Sequence, residues 1–460
     1  MKKIIFYVIL FMCKSMNFLI TKIIRRGGST ITGKIASILQ KDFVTYFTNI
    51  NLNNVIMVTG TNGKTSTANL LAYTIEKSGR KVATNSEGAN MIGGLATTLI
   101  KNSNLKGRFN KDYLVLEIDE RSIEALHKKL PAKNLVVTNI LKDQVQRNGD
   151  PDFIYRKIKN VINEEMTLYL NNEEPRSKGL EEQAKKVIYY SVEKHAESFE
   201  KNRFNTVTLP CPKCSNKIVY NYYNIENVGN FQCSVCEYKS EYDPTYCITN
   251  VNSKDKTIEC QGEVYNVNYT LPFYLYNYAS CLAVCRNLGI EPAKINEGFK
   301  TFKNPFERRE IIKYKDKEIK YLRMKQENPE TLQNAINTVA QDKTNKAILI
   351  GLFEIKDFKP AYANTFYFFD CEFEEVAEGQ VEKYISFSKT VSYDTANRMI
   401  YAGVPKEKIE IIDSDDVEEV LKKIDDIKTN NIYILTGMKP YKKIKQFFLD
   451  QNSTIERIII

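Results

Sequence analysis

The chain has 460 residues, of which 43% are hydrophobic and 27% charged, with a formal net charge of +10. Those proportions belong to an ordinary globular protein and exclude a collagen-like, a mostly disordered or a polytopic membrane chain. The length suits two to four domains whose cores need no disulfides. The basic excess suits anionic partners such as nucleotides, phospholipid heads or nucleic acid, without choosing among them. Four of the ten cysteines fall in two tight pairs and the rest show no framework spacing, so a reducing cytosol is expected.

In chain order, Lys2 and Lys3 precede an apolar run from Ile4 to Cys13. A charged start and short apolar run resemble a signal peptide, but no small-residue cleavage site follows. The run is also shorter than the roughly 20 apolar residues that span a bilayer. It reads as a packed N-terminal helix, with a membrane-surface helix as the alternative. The basic stretch Lys22–Arg26 is open to anionic lipid or to a solvated turn. Val55–Thr59 is a β-branched run ending at Gly60 and reads as a buried strand. Thr65–Ser78 is expected to be a helix with Leu70, Leu71, Tyr73, Thr74 and Ile75 inward and Gly79 as its stop. Strands are expected at Tyr113–Glu117, Asn134–Thr138, Thr167–Asn171 and Val187–Ser191, with helices between. This alternation implies an α/β fold with a mostly parallel, doubly wound sheet.

Residues 206–248, rich in Cys, Asn, Tyr and Pro, read as an inserted small module. A helical pattern resumes over Leu275–Leu288, and Asn304-Pro305 marks a linker. A second alternation follows: a helix near Pro329–Ala340, strands at Ala347–Gly351, Phe366–Phe369 and Tyr384–Ser388, a helix at Tyr393–Ala402, a strand at Ile409–Ile412, a helix at Val417–Ile424 and a strand at Ile432–Leu435. The expected division is an N-terminal helical segment 1–45, an α/β domain 46–305 carrying the insertion, and a second α/β domain 306–460.

Gly60-Thr61-Asn62-Gly63-Lys64-Thr65-Ser66 joins the first strong strand to a helix. Glycines let the backbone curl its N–H groups toward phosphates, and the helix N-terminus adds positive potential. Lys64 can reach the β/γ-phosphates and the Thr65 hydroxyl can ligate Mg²⁺. Val58 holds the place of the first glycine of the standard Gly-x-x-x-x-Gly-Lys spacing, yet the strand–loop–helix context points to a nucleotide. Glu117 closes the next strong strand and is the expected metal ligand. Asp119 and Glu120 read as a solvated loop.

Cys211-Pro-Lys-Cys214 and Cys233-Ser-Val-Cys236 are 18 residues apart. This lies in the window for a tetrahedral four-thiolate zinc site, which has no open position and is therefore structural. Lys213, Lys217 and Lys239 among Tyr220, Tyr222, Tyr223 and Tyr238 could stack bases. Packing of a small module is the favoured reading.

Thr59–Thr65, Thr84–Met91, Leu116–Glu120, Thr138–Gln144, the four-cysteine insertion and Arg398–Gly403 together resemble the MurT subunits of lipid II isoglutaminyl synthase, a branch of the Mur ligase family. The resemblance runs from about Arg25 to the C-terminus. It implies a Mur-ligase ATPase domain with a zinc ribbon, followed by a Rossmann-like α/β domain. It also implies a GatD-type glutaminase partner that supplies ammonia, and ATP-dependent amidation of the D-glutamate α-carboxylate in lipid II. On it Lys64 and the loop residues Gly60, Thr61, Asn62, Gly63, Thr65 and Ser66 cradle the triphosphate. Thr65 and Glu117 hold Mg²⁺, Asn277 lies beside the base, and Arg308 belongs to a linker motif. Gln144 stands where other Mur ligases carry a histidine. Nucleic acid is not an implied partner, and peripheral membrane contact is open. The sequence departs from the family pattern at Glu307, at Asn171–Pro175, and at Glu330 in Asn328-Pro329-Glu330-Thr331. It also departs at Asn364, aligned with an aspartate of the C-terminal catalytic site. An amide carries no charge at neutral pH. These departures keep open an ATP-binding scaffold, or another Mur or folylpolyglutamate-type ligase.

Overall fold

The computed structural model describes residues 1–20, 30–85, 90–143, 150–200, 209–304, 309–325, 328–352, 366–451 and 453–457. Strands β1 (Val55–Thr59), β2 (Val82–Thr84), β3 (Tyr113–Glu117), β4 (Asn134–Val137), β5 (Thr167–Asn171) and β6 (Lys186–Val192) are parallel neighbours in the order β6-β5-β4-β1-β3-β2. β1 is buried at every position because helices cover both faces of the sheet, so its sequence is a continuous apolar run rather than an alternation. The helix after β1 leads toward β2, and the chain after β4 leads the other way, to β5. The loops following β1 and β4 therefore flank a crevice at the carboxyl ends of the strands, where ligands of such sheets bind.

β7 (Ile218–Ile225) and β8 (Val228–Cys233) form a separate antiparallel hairpin, the expected small module. The chain then returns to the sheet edge. β9 (Tyr246–Asn252) pairs parallel to β6, and β10 (Thr257–Cys260) and β11 (Glu263–Asn266) extend it antiparallel. That antiparallel edge was not expected from the alternation.

The second sheet has the order β16-β15-β14-β17-β13-β12-β18. It comprises β12 (Arg309–Tyr314), β13 (Lys317–Arg323), β14 (Lys346–Gly351), β15 (Val381–Phe387), β16 (Ile409–Ile412), β17 (Asn431–Thr436) and β18 (Thr454–Arg457). Its centre is parallel; β12 runs antiparallel to β13, and β18 antiparallel to β12. One expectation is corrected here: Phe366–Phe369 is a helical turn, not a strand. The aromatic run carries β propensity. Tertiary packing overrides it, burying Tyr367 and Phe368 beside Leu332 and Ile336 of the Pro329–Gln341 helix.

Residues Lys2–Phe18 form a helix whose Phe6, Ile9, Leu10 and Cys13 are buried, as the packed reading expected. No helix among the described residues is long and apolar enough to cross a membrane.

Candidate active site and metal centre

The loop after β1 turns sharply because Gly60 and Gly63 hold φ of 128° and 84°, a region open to glycine and closed to most side chains. A Cβ at Gly60 would sit 2.2 Å from Thr138 Oγ1, so the loop lies directly on the end of β4. Two backbone groups fix it there. Thr61 N–H donates to Asn139 O at 2.8 Å, and Asn62 N–H donates to Asn139 Oδ1 at 2.8 Å. The helix Lys64–Lys77 starts at once, with Leu70, Leu71, Thr74 and Ile75 inward and Tyr73 half-buried.

Lys64 is buried and bonded at the base of this loop. Its Nζ donates to Gly60 O, to Thr61 O at 3.0 Å and to Glu120 Oε1 at 2.8 Å. Burial alone would lower its pKa, but Glu120, Asp143 and Glu117 outweigh burial and hold it protonated above its usual value. The expectation that Asp119 and Glu120 are solvated is corrected: both are buried. The parallel register of β1 and β3 carries the acidic turn after Glu117 to the loop's flank, a neighbour relation that local sequence does not contain.

Glu117 ends β3 beside the loop. Burial raises its pKa, opposed by Lys64 and by polar contacts with Thr65 and Asn90. Its Oε2 is buried without a hydrogen-bond partner. A carboxylate oxygen so placed, near the Thr65 hydroxyl, suits a hard cation such as Mg²⁺. Lys64, Thr65 and Glu117 are thus brought together with Gly60, Thr61, Asn62, Gly63 and Ser66. Asn277 joins them from the Pro272–Asn287 helix: its Oδ1 accepts from Thr67 Oγ1 at 3.0 Å, and a Cβ on Gly63 would lie 2.9 Å from it. Arg308 and Asn364, and with them Gln144 and Glu307, lie outside the described residues.

Beyond the loop opens a cleft of about 1090 Å³, its mouth included. Asn62, Gly63, Ser66 and Asn139 line its phosphate end, and Tyr274, Asn277 and Asn304 continue the wall. The sequence reading missed Asn304, which donates to Tyr274 Oη at 3.1 Å and to Ser66 Oγ at 3.3 Å. It also missed Glu173. This buried carboxyl accepts from Val192 N–H at 2.7 Å and from Tyr276 Oη–H at 2.8 Å. Burial pushes its pKa up to about 7. Both residues sit in motifs that were read as a linker and as a pattern departure.

The second sheet's leading helix closes the cleft from above. At its N-terminus Asn62 Nδ2 donates to Glu330 Oε2, Asn328 Nδ2 donates to Asp143 Oδ1 at 3.1 Å, and Lys325 pairs with Asp143. Lys142 pairs with Asp370 nearby.

The hairpin β7–β8 carries the four cysteines at one end. Their Sγ atoms lie within 4.8 Å of one another, with Cys211–Cys236 at 3.7 Å and Cys214–Cys233 at 3.5 Å. Zn–S bonds of about 2.3 Å in a tetrahedron require S···S separations of about 3.8 Å, and a disulfide about 2.05 Å. All four are free thiols, so the set fits zinc. Asn216 hydrogen bonds lower the Cys214 pKa to about 6, whereas burial pushes Cys211 up to about 12. The tyrosines pack rather than stand free: Tyr220 and Tyr223 stack at 4.4 Å, and Tyr238 Oη donates to Pro175 O. At the hairpin's other end Ile225 and Val228 line the same cleft.

Two family models match the chain: "Mur ligase middle domain" over residues 58–234 and "MurT ligase C-terminal" over residues 326–438. The chain belongs to the Mur ligase family, in its MurT branch. It is 28% identical over 449 residues to the lipid II isoglutaminyl synthase (glutamine-hydrolyzing) subunit MurT of Streptococcus pneumoniae, covering 94% of this chain and 95% of that one. The subunit of the same description from Staphylococcus aureus (strain COL) is 27% identical over 367 residues, covering 79% and 81%. Among solved structures, the pseudomurein peptide ligase type C from Methanothermus fervidus has a TM-score of 0.66 at 20% identity, covering 89% of this chain and 80% of that one. MurF from Acinetobacter baumannii has 0.59 at 13%, covering 91% and 80%. These likenesses show the fold, a Mur-ligase α/β architecture. As a member of this branch the ligase is an ATP-dependent enzyme of peptidoglycan synthesis.

Proposed function

We propose that this ligase amidates the α-carboxylate of D-glutamate in the lipid II stem peptide, using ammonia delivered by a GatD-type glutaminase. The observation that carries the reading is the junction of phosphate loop, Glu117 and Asn277 beneath a helix of the second sheet. The relatives' description as a glutamine-hydrolysing synthase subunit points to the same chemistry. A carboxylate is a poor acyl donor because its oxygen leaves poorly. Bound ATP would supply the phosphoryl group that makes it an acyl phosphate, and Mg²⁺ would neutralise charge on the phosphates.

The chain's own residues do the positioning. The backbone N–H groups of Gly63, Lys64 and Thr65 at the helix start would face the anion, and Lys64 carries a positive charge that three carboxylates hold against burial. Thr65 and Glu117 would hold the Mg²⁺ ion. Asn277 sets the far end of the loop, and Arg308 keeps its family role at the linker. The helix beginning at Pro329 walls one side of the cleft through Glu330, Thr331 and Asn334. Asn364 in this reading serves the reaction as a neutral amide, without a carboxylate's charge. We assign residues 1–45 to a helical segment, 46–305 to the ATP-binding domain and 306–460 to the C-terminal domain, a division that the two separate sheets support.

The test is phosphate release from ATP and Mg²⁺ with purified lipid II and ammonium chloride, which bypasses the glutaminase. The expected result is release dependent on lipid II, with a product whose mass falls by the difference between OH and NH₂. Lys64→Ala abolishes it. ATP binding without turnover in the wild type overturns the ligase reading in favour of the scaffold that Glu330 and Asn364 support.

A further inference from the structure

The N-terminal helix Lys2–Phe18 is apolar on both sides. Its inner side is anchored: Phe6 packs on Phe43 and Phe47 at 5.1 and 5.2 Å between ring centroids, and Lys14 Nζ donates to Ile100 O and Ser103 O at 2.6 Å. Its outer side carries the exposed Ile4, Ile5, Val8, Phe11, Met12 and Phe18. Ile4, Val8, Phe11 and Phe18 are 68%, 64%, 61% and 61% exposed. Half of the large apolar side chains left exposed among the described residues lie between Met1 and Leu39. A helix apolar all round is ordinarily covered all round, and contiguous exposed apolar surface marks an interaction site.

Charge says what covers it. From Met1 to Lys41 the sequence holds eight lysines and arginines, of which Lys14 is engaged on the inner side, and no aspartate or glutamate. We propose that the outer face of this helix docks on an anionic lipid surface, lying in the plane of the headgroups with its apolar side chains between them. The helix cannot span: its 17 residues reach about 25 Å at 1.5 Å each, against a hydrocarbon core of about 30 Å. Apolar residues and lysines on one surface helix are the composition of an interfacial anchor, whose affinity sums buried apolar area and attraction to anionic heads. The helix is clamped to the ATP-binding domain through its inner face, so docking would hold the cleft at a set height above the bilayer. This deepens the proposed function, since a lipid-linked substrate is met at such a surface, while the binding itself rests on the helix alone.

The experiment uses the full chain and sedimentation with vesicles of phosphatidylcholine, with or without phosphatidylglycerol. The wild type is expected to sediment with the anionic vesicles, less so as salt rises, and to stay in solution with neutral ones. Val8→Glu and Phe11→Glu, both exposed and so tolerated by the fold, should each weaken partitioning about ten-fold or more. Wild type remaining in solution with anionic vesicles overturns the proposal, as does unchanged binding by the double variant. A lipid-free dimer that the same double variant dissolves also overturns it, assigning the face to a second copy. Turnover is read in parallel on detergent-dispersed and vesicle-embedded lipid II. Loss confined to vesicles in the double variant supports docking. Vesicle binding with no turnover in either form leaves docking intact and sinks the ligase reading instead.

Discussion

Glu330 puts a carboxyl at the mouth of a loop whose other groups favour an anion. Its Oε2 accepts from Asn62 Nδ2, and it lines the cleft with Gly63 and Ser66. Burial comes first, then the carboxylates of Glu226, Asp143 and Glu174, in pushing its pKa well above the usual carboxylate range. The protonated form is compatible with a bound triphosphate and the ionised form repels it. ATP affinity should therefore be highest below the raised pKa and fall as pH rises through it. Glu330→Gln should match the wild type at low pH and lose that decline, as titration calorimetry across a pH series would read. An equal decline in both proteins assigns the pH dependence elsewhere. The residue was visible in the sequence as a departure from the family pattern. Its contact with Asn62, 268 positions away, was not.

At the scale of an element, the four-cysteine hairpin spans from its thiol cluster to the cleft. Its cysteine end rests on the Pro175 turn, where Tyr238 donates to Pro175 O and a Cβ on Gly179 would lie 3.0 Å from Pro212. Its far turn is held by Asn224, which donates to Val192 O at 2.7 Å, and by Glu226, which accepts from Asn337 Nδ2 at 2.6 Å. Four thiolates on one ion contribute folding free energy directly. Chelation, or Cys214→Ser, should lower the melting temperature and weaken ATP binding through the loosened Ile225 and Val228 wall. An unchanged nucleotide affinity after zinc loss would confine the metal to local stability. The cysteine spacing made the ribbon legible, because thiolate ligation needs only local pairs. The hairpin's reach into the cleft depends on where a separate sheet stands.

Across the whole molecule, the two sheets meet over the phosphate loop through a small set of polar contacts. Lys325 pairs with Asp143, Asn328 donates to Asp143, and Lys142 pairs with Asp370. Asp143 is buried, so removing Lys325 leaves a charge without its partner, a costly arrangement. In a double-mutant cycle, Lys325→Met and Asp143→Asn should each destabilise, with a coupling energy of roughly 1–3 kcal/mol. Additive effects would mean that the pair does not join the sheets. These contacts link positions far apart in sequence, so no window of sequence contains them.

The sequence by itself determined the elements whose signals are local. The β1–loop–helix unit follows from a β-branched run, two glycines and a helical pattern, and the ribbon from paired cysteines. The parallel strands follow from short buried apolar runs between helices. Only the tertiary structure decided that Phe366–Phe369 is helical, that Glu120 is buried against Lys64, and that Glu330 and Asn304 belong to the cleft. In each case the deciding energy is burial against a distant segment. It also decided that the first helix buries one apolar face and exposes the other, since an all-round apolar sequence specifies burial without saying which side the protein covers.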